Sequence, residues 1–331
     1  MSRTSIVVLL LAAGAGGWYF WQHYQVQGLD NLSIKLREAQ PGAAGAASVK
    51  AEAELPPVPA GKNTIRIATF NFGPLDRNKI GKPQVVNRLA QVIRRFDVVA
   101  VQDIQARNQA ILAQLLEQVN ADGRHYHYVV DPGVDQDVVH QYSALLFDRA
   151  TIQVDRSTVC LVSDAEGRLR HPPLVAAFRA RGPEPRQAFT FTLINVHVDA
   201  EQADAEVDLL DDVFRAVRDD GRSEDDIIML GSLGVDDRHL GQLGQVANLT
   251  CAVFGMPTTT RGTEAGDNLL FDFRATREFT GKAGVVDLMR ELGLSMQETL
   301  EMSAHLPVWA EFSVYEGGRT GQVAARPPTA R

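Results

Sequence analysis

The chain has 331 residues, 45% of them hydrophobic and 22% charged, the composition of a globular protein with material for one large core. Its formal net charge of -8 supplies no positive field to hold a polyanion, so nucleic acid is not favoured as a partner. Two cysteines, Cys160 and Cys251, exclude a disulfide framework and a cysteine-rich zinc site, and leave open whether they pair with each other.

Residues 5–21 carry no charge, contain Val7, Val8, Leu9, Leu10 and Leu11, and end in Trp18, Tyr19, Phe20 and Trp21. A helix of that length nearly spans a hydrocarbon core, and Trp and Tyr favour its aqueous boundary, so residues 1–21 read as a membrane anchor. A cleaved signal peptide is the alternative, with Ala13, Gly14 and Ala15 as the small residues it needs. An aromatic belt has no use in a discarded peptide, which favours the anchor. With Arg3 on the inner side, both readings put the rest of the chain outside the cytoplasm, periplasmic or on the cell surface. Residues 22–62, rich in Ala, Gly and Pro, read as a stalk with room for a short helix over 31–38. Residues 316–331 read as a disordered tail, leaving 63–315 as the folded domain.

Within that domain, residues 64–71 alternate apolar and polar types and predict a strand; 84–95 have helical spacing; 97–102 form a short buried strand. A second amphipathic helix covers 108–120, followed by strands at 126–130, 143–147 and 174–179. Residues 189–197 (FTFTLINVH) carry the clearest strand pattern, and a helix over 203–218 follows it. Strands at 226–231, 268–273 and 308–314 complete the set. Strands alternating with helices, then running consecutively, predict an α/β or α+β fold with helices packed outside a layered sheet core.

Polar residues end these strands in a particular order: Phe70-Asn71, Gln102-Asp103, Asn195-Val196-His197, Gly231-Ser232-Leu233-Gly234, Asp267-Asn268 and Ser303-Ala304-His305-Leu306-Pro307. The succession resembles the endonuclease/exonuclease/phosphatase (deoxyribonuclease I-like) superfamily, whose members show Phe-Asn, Gln-Glu, a strand ending in His, Gly-Asp-Phe-Asn, Asp-Asn or Asp-Arg, and Ser-Asp-His-x-Pro. The match covers residues 63–315. It implies a four-layered sandwich of two facing mixed sheets flanked by helices, with a cleft at the strand ends where a divalent metal, usually Mg2+, helps cleave phosphate esters. Carried over position by position, His197 and His305 match the catalytic histidines and Asp267 the carboxylate that orients His305. Asn71, Asn268 and Arg170 match substrate- or phosphate-side residues, and Asp103 a metal-binding Glu.

The departures matter as much. Ser232 stands where the family has Asp, Gly234 where it has Asn, and Ala304 where it has Asp; a mid-chain Glu is replaced by His140 or Gln141. Loss of several charge contacts from one pocket removes metal affinity and rate together. The expectation is therefore a membrane-anchored domain of impaired chemistry that binds a ligand or partner. The alternatives are an active metal-dependent phosphodiesterase, acting on nucleic acid, lipid or sugar phosphate, and a purely structural envelope domain. Each candidate also has a bland reading: His197 and His305 as satisfied core histidines, Asp103 as a strand cap, Asn71 as a turn residue, Arg170 as a surface cation. Asp236 and Asp237 read as the solvated start of a helix before Leu240.

Overall fold

The computed structural model describes residues 26–27, 32–35, 55–130 and 138–318, so the expected anchor at 1–21 and most of the tail lie outside the described residues. Among the described residues, no helix is long and apolar enough to cross a membrane. In chain order come β1 (Val26–Gln27), β2 (Leu32–Lys35), β3 (Thr64–Leu75), α1 (Arg77–Ile80), α2 (Pro83–Ile93), β4 (Val98–Ala106), α3 (Ala110–Asn120), β5 (Tyr126–Val130) and β6 (His140–Asp148). The chain continues through β7 (Ile152–Asp164), β8 (Leu174–Ala180), β9 (Thr190–His197), α4 (Ala203–Arg218), β10 (Ile227–Ser232), β11 (Leu249–Cys251) and β12 (Asp267–Asp272). It ends with β13 (Phe279–Val285), α5 (Leu288–Leu292), α6 (Met296–Met302) and β14 (Val308–Ser313).

Two mixed sheets result, an eight-stranded one in the order β1-β2-β7-β8-β9-β10-β12-β11 and a six-stranded one in the order β13-β14-β3-β4-β6-β5. Among the described residues, parallel pairing is confined to β9 with β10 and β3 with β4. The two-residue period of a strand explains the layering. In β3, Ile65 and Ile67 face the other sheet, while Ala68, Phe70 and Phe72 face outward. Val98 and Ala100 of β4, Phe191 and Leu193 of β9, and Leu269 and Phe271 of β12 fill the space between the sheets. Helices α2 and α3 cover the outer face of the six-stranded sheet through Val85, Leu89, Leu112 and Leu115. Helix α4 covers the other sheet, its Val207, Leu210, Val213 and Phe214 packing with Ile194, Val196 and Met229. Each such side chain contributes about 1.5–3 kcal/mol on burial. The four layers are those expected.

Toward one end, the inward face turns polar. Gln102 Nε2 donates to Asn195 Oδ1 at 2.7 Å and to Thr69 Oγ1 at 3.0 Å. Asn195 Nδ2 in turn donates to the carbonyls of Val101 and Ala144 at 3.2 and 3.0 Å. Buried amides left unpaired would each cost about 1–3 kcal/mol, so this tier joins the sheets only because its donors and acceptors are matched.

Several expectations need correction. The segment read as a short helix over 31–38 contains instead β2, whose Leu32–Lys35 pairs antiparallel with β7. Strand β7 was not foreseen, because its exposed stretch at Gln153, Arg156 and Ser157 and the irregularity between Asp155 and Cys160 break the alternation. Asp236 and Asp237 begin no helix. Asp236 Oδ1 instead accepts from the Arg238 backbone at 2.9 Å and closes a turn. Cys160 and Cys251 are both buried and free, and burial pushes their thiols up to about 11 and about 12.

Candidate active site

Above the amide tier, the next inward positions of β3, β9, β10 and β12 are Asn71, His197, Ser232 and Asp267. Asn71, His197 and Ser232 floor a cleft of about 1010 Å³ whose walls include Asp103, Gln141, Arg170, His171, Asp199, Asp236, Arg238, Glu264 and His305, with Asp267 buried beneath it. The local backbone holds them there. Gly231 has φ 150 and sits against β9 so closely that a Cβ would lie 1.9 Å from the Val196 carbonyl oxygen, so only glycine can precede Ser232. Asp103 adopts the left-handed conformation, φ 61, which lets it leave the ladder of β4 and reach the cleft. Helix α6 begins with a Ser295–Glu298 capping box and ends at Ser303, whose hydroxyl donates to the Asn71 carbonyl at 2.6 Å and accepts from the His305 backbone at 2.9 Å. Lys79, which sequence reasoning missed, donates to the carbonyls of Phe72 and Met302 at 2.5 and 3.1 Å, fastening the end of β3 to α6. Burial lowers its ammonium pKa.

The floor is a continuous hydrogen-bonded chain. His305 Nδ1 stands 2.8 Å from Asp267 Oδ2, which also accepts from Thr258 Oγ1 at 2.8 Å. Ser232 Oγ donates to Asp267 Oδ1 at 2.6 Å and accepts from Asn71 Nδ2 at 3.0 Å. His197 stacks on His171 with ring centroids 4.8 Å apart, and its Nδ1 lies 3.1 Å from the Gln141 amide. A half-turn of that amide lets its carbonyl accept from Nδ1–H, leaving Nε2 as an acceptor 3.5 Å from the Asn71 amide nitrogen.

The two histidines are tuned in opposite directions. Burial, with His171 next in weight, takes His197 down to about 4, so it is neutral at neutral pH. Burial also acts to lower His305, but the hydrogen bond and charge of Asp267 overcome it and raise its pKa. One group free to accept a proton and one held toward the protonated form is the arrangement acid–base chemistry uses.

Of the residues singled out from sequence, Asn71, Asp103, Arg170, His197 and His305 line this cleft, and Asp267 lies beneath it, bonded to Ser232 and His305. Asn268 does not. It occupies the opposite face of β12, where its side chain bonds the Val253 backbone at 2.9 Å (to O) and 3.3 Å (from N) and so secures a neighbouring loop. The period of two separates it from Asp267. Between the two candidates for the missing mid-chain Glu, Gln141 is the one beside His197, whereas His140 turns to the Val138 carbonyl at 3.3 Å.

A magnesium ion would need converging anionic oxygens. Both oxygens of Asp267 are engaged within the floor, and Asp103 Oδ1 accepts from Gln105 at 2.8 Å. Among the described residues, the groups of three or more acidic, imidazole or thiol ligands close enough to share an ion are Glu224–Asp225–Asp226 and Asp226–Glu278–Glu316, neither of which lines the cleft. The cleft therefore does not present a preformed magnesium donor set.

Two histidines, an Asn and an Asp thus gather at one end of the facing sheets of a four-layered α/β sandwich. No family model matches the chain. It is 24% identical to human deoxyribonuclease-1-like 2 over 278 residues, covering 75% of this chain and 92% of that protein. To bovine deoxyribonuclease-1 it is 22% identical over 263 residues, covering 74% and 91%. Solved structures share its fold. A humanized D. rerio TDP2 superposes with a TM-score of 0.54 at 12% identity, over 76% of this chain and 99% of that one. An endonuclease/exonuclease/phosphatase family protein from Bacteroides thetaiotaomicron does so with a TM-score of 0.51 at 13% identity, over 76% and 95%. The chain is thus similar in sequence to deoxyribonuclease I-like proteins and has the fold of the endonuclease/exonuclease/phosphatase structures.

Proposed function

We propose that this protein is a deoxyribonuclease I-like domain whose metal-assisted hydrolysis is lost or strongly impaired, and whose cleft binds a phosphate-bearing ligand or partner. The observation that carries this reading is Ser232. Its hydroxyl bridges Asn71 and Asp267, satisfying both where the family sets a carboxylate beside the metal. A neutral hydroxyl cannot offset the charge of a dehydrating divalent ion. Gly234 and Ala304 leave two further positions without a polar side chain, while Asn71, Arg170 and the raised His305 remain as donors toward an anion. Residues 1–21 would hold the domain to a membrane on its outer side, by the hydropathy of that segment alone.

The intact His305–Asp267 pair, at 2.8 Å, favours a second reading, an active phosphodiesterase with His305 and His197 as its acid and base and Mg2+ recruited with the substrate. Assay of the full-length chain for plasmid nicking and for bis(p-nitrophenyl) phosphate hydrolysis separates the two. The first reading expects no turnover above background with or without magnesium. Robust hydrolysis that a chelator abolishes and that His197→Ala removes would overturn it in favour of the second.

A further inference from the structure

Two loops that wall the cleft converge on one buried carboxylate. The first joins β7 to β8 and carries Arg170 and His171; the second joins β9 to α4 and carries Asp199. Glu206, in the first turn of α4, reaches both with 1% of its surface exposed. Its Oε1 accepts from the Arg170 backbone N–H at 3.0 Å, and its Oε2 from that of Asp199 at 3.1 Å.

Each loop is otherwise folded on itself. Asp164 closes the first by accepting from the backbone N–H groups of Glu166, Arg168 and Leu169. Leu169 seats that loop in the core under α4, one residue before Arg170. The second is closed by Asp199, whose side chain accepts from the Glu201 N–H at 2.9 Å and whose carbonyl accepts from that of Gln202 at 3.0 Å. Such bonds shape a loop, whereas Glu206 fixes where the two stand against each other. The choice of side chain follows from its chemistry. A carboxylate is acceptor-only and offers two oxygens, so it takes both N–H groups at once in charge-assisted bonds. An amide of the same shape would turn a donor on one of them. Burial raises the Glu206 carboxyl, and the two backbone bonds oppose that rise ahead of any neighbouring charge.

What these bonds hold is the side of the wall that presents donors and the histidine stack. Arg170 supplies a guanidinium to the cleft, and His171 lies on His197 with ring centroids 4.8 Å apart and planes 14° from parallel. After burial, His171 is the largest influence lowering His197. We infer that Glu206 is a positioning residue of the cleft: buried behind the wall, it ties the β7–β8 loop to the β9–α4 turn and so holds Arg170 toward a phosphate group and His171 against His197. The arm to phosphate rests on the reading of the cleft as an anion site; the arm to the histidine stack stands without it.

The test is Glu206→Gln in the full-length chain, which keeps the shape and loses one of the two bonds. With the loop loosened, His171 withdraws and water reaches the His197 ring, so NMR titration should show His197 moving up by about half a unit or more. Calorimetry with inorganic phosphate should show affinity weakened about fivefold or more, because Arg170 is no longer held in place. Asp211→Asn is the control, since Asp211 is a second buried carboxylate of α4 and pairs with Arg215 at 3.2 Å rather than with either loop. It should leave the His197 titration and phosphate binding as in wild type, even where Tm falls. Should Glu206→Gln fail to fold, Glu206→Asp, which keeps both acceptors but withdraws them by one methylene, is read in the same two ways. An unmoved His197, phosphate bound as tightly as by wild type, or equal changes in Asp211→Asn would each overturn the inference. Wild type that binds no phosphate would sink the anion reading of the cleft instead, and the His197 shift would then decide the role of Glu206 alone.

Discussion

Gln141 is the residue through which the cleft's acid–base balance is most easily moved. It gives His197 a neutral partner at 3.1 Å, so burial, with His171 next in weight, outweighs the charges of Asp103 and Asp267 and the imidazole stays near 4. Gln141→Glu should raise the His197 pKa by about 1–3 units, a change that histidine-resolved NMR titration reads directly. The same shift has a stability consequence. Below the ordinary value of 6.5 the unfolded chain takes up a proton that folded His197 refuses until about 4, so stability attributable to this residue falls as pH drops through that window. The total is about 3 kcal/mol, and wild type compared with His197→Asn by urea unfolding between pH 7 and pH 4 should show it as a shallower loss in the variant. His305 runs the other way: its raised pKa contributes stability that is full below 6.5 and lost as pH rises through the folded value. Ser232→Asp would set a second carboxylate beside Asp267, where the hydroxyl now donates at 2.6 Å. In chelator it should cost about 2 kcal/mol or more, and magnesium should restore some of that loss in Tm if the cleft can still take the ion.

At the scale of elements, the junction of β9 and β10 is the least forgiving. Because a Cβ at Gly231 would lie 1.9 Å from the Val196 carbonyl oxygen, Gly231→Ala must force these paired strands apart. A loss of about 3 kcal/mol or more is expected, against less than about 1 kcal/mol for an exposed alanine substitution such as Glu301→Ala, both measured as urea midpoints. Strand β9 and helix α4 were legible in the sequence because long periodic runs leave no rival reading, and residues 203–218 matched the helix end for end. Strand β7 was not, since an edge-side strand with Arg156 and Ser157 in solvent loses the period that betrays it. Helices α5 and α6 are too short, at 5 and 7 residues, for a period to register. The site was readable as an ordered series of strand-end polar residues, and its candidates other than Asn268 either line the cleft or, in the case of Asp267, bond residues that do. Asn268 misled because a two-letter motif says nothing about which face of a strand a residue takes. Lys79 was missed, and the bridging role of Gln102 went unread, for a different reason: they act through backbone carbonyls and a buried amide on another strand, partners that only the folded chain brings near.

For the molecule as a whole, the described residues form one sandwich with the cleft at one end. Deleting residues 1–21 should release the protein from carbonate-washed membranes with its unfolding midpoint unchanged, because the core clusters draw on residues from Ile65 to Val314. A mature N-terminus near Gly16 would instead identify a signal peptide. The amide tier beneath the cleft bears on what such a site can recognise. Packed apolar sheets slide past one another in small increments at little cost, but Gln102, Thr69 and Asn195 accept one another in a single register. Sheet separation directly under the floor is thus set in whole steps, like a ratchet with one tooth engaged. A ligand of the proposed kind entering above it would meet an aperture that resists widening for a larger guest, and selectivity by size would then come from two amides and a hydroxyl that never touch it.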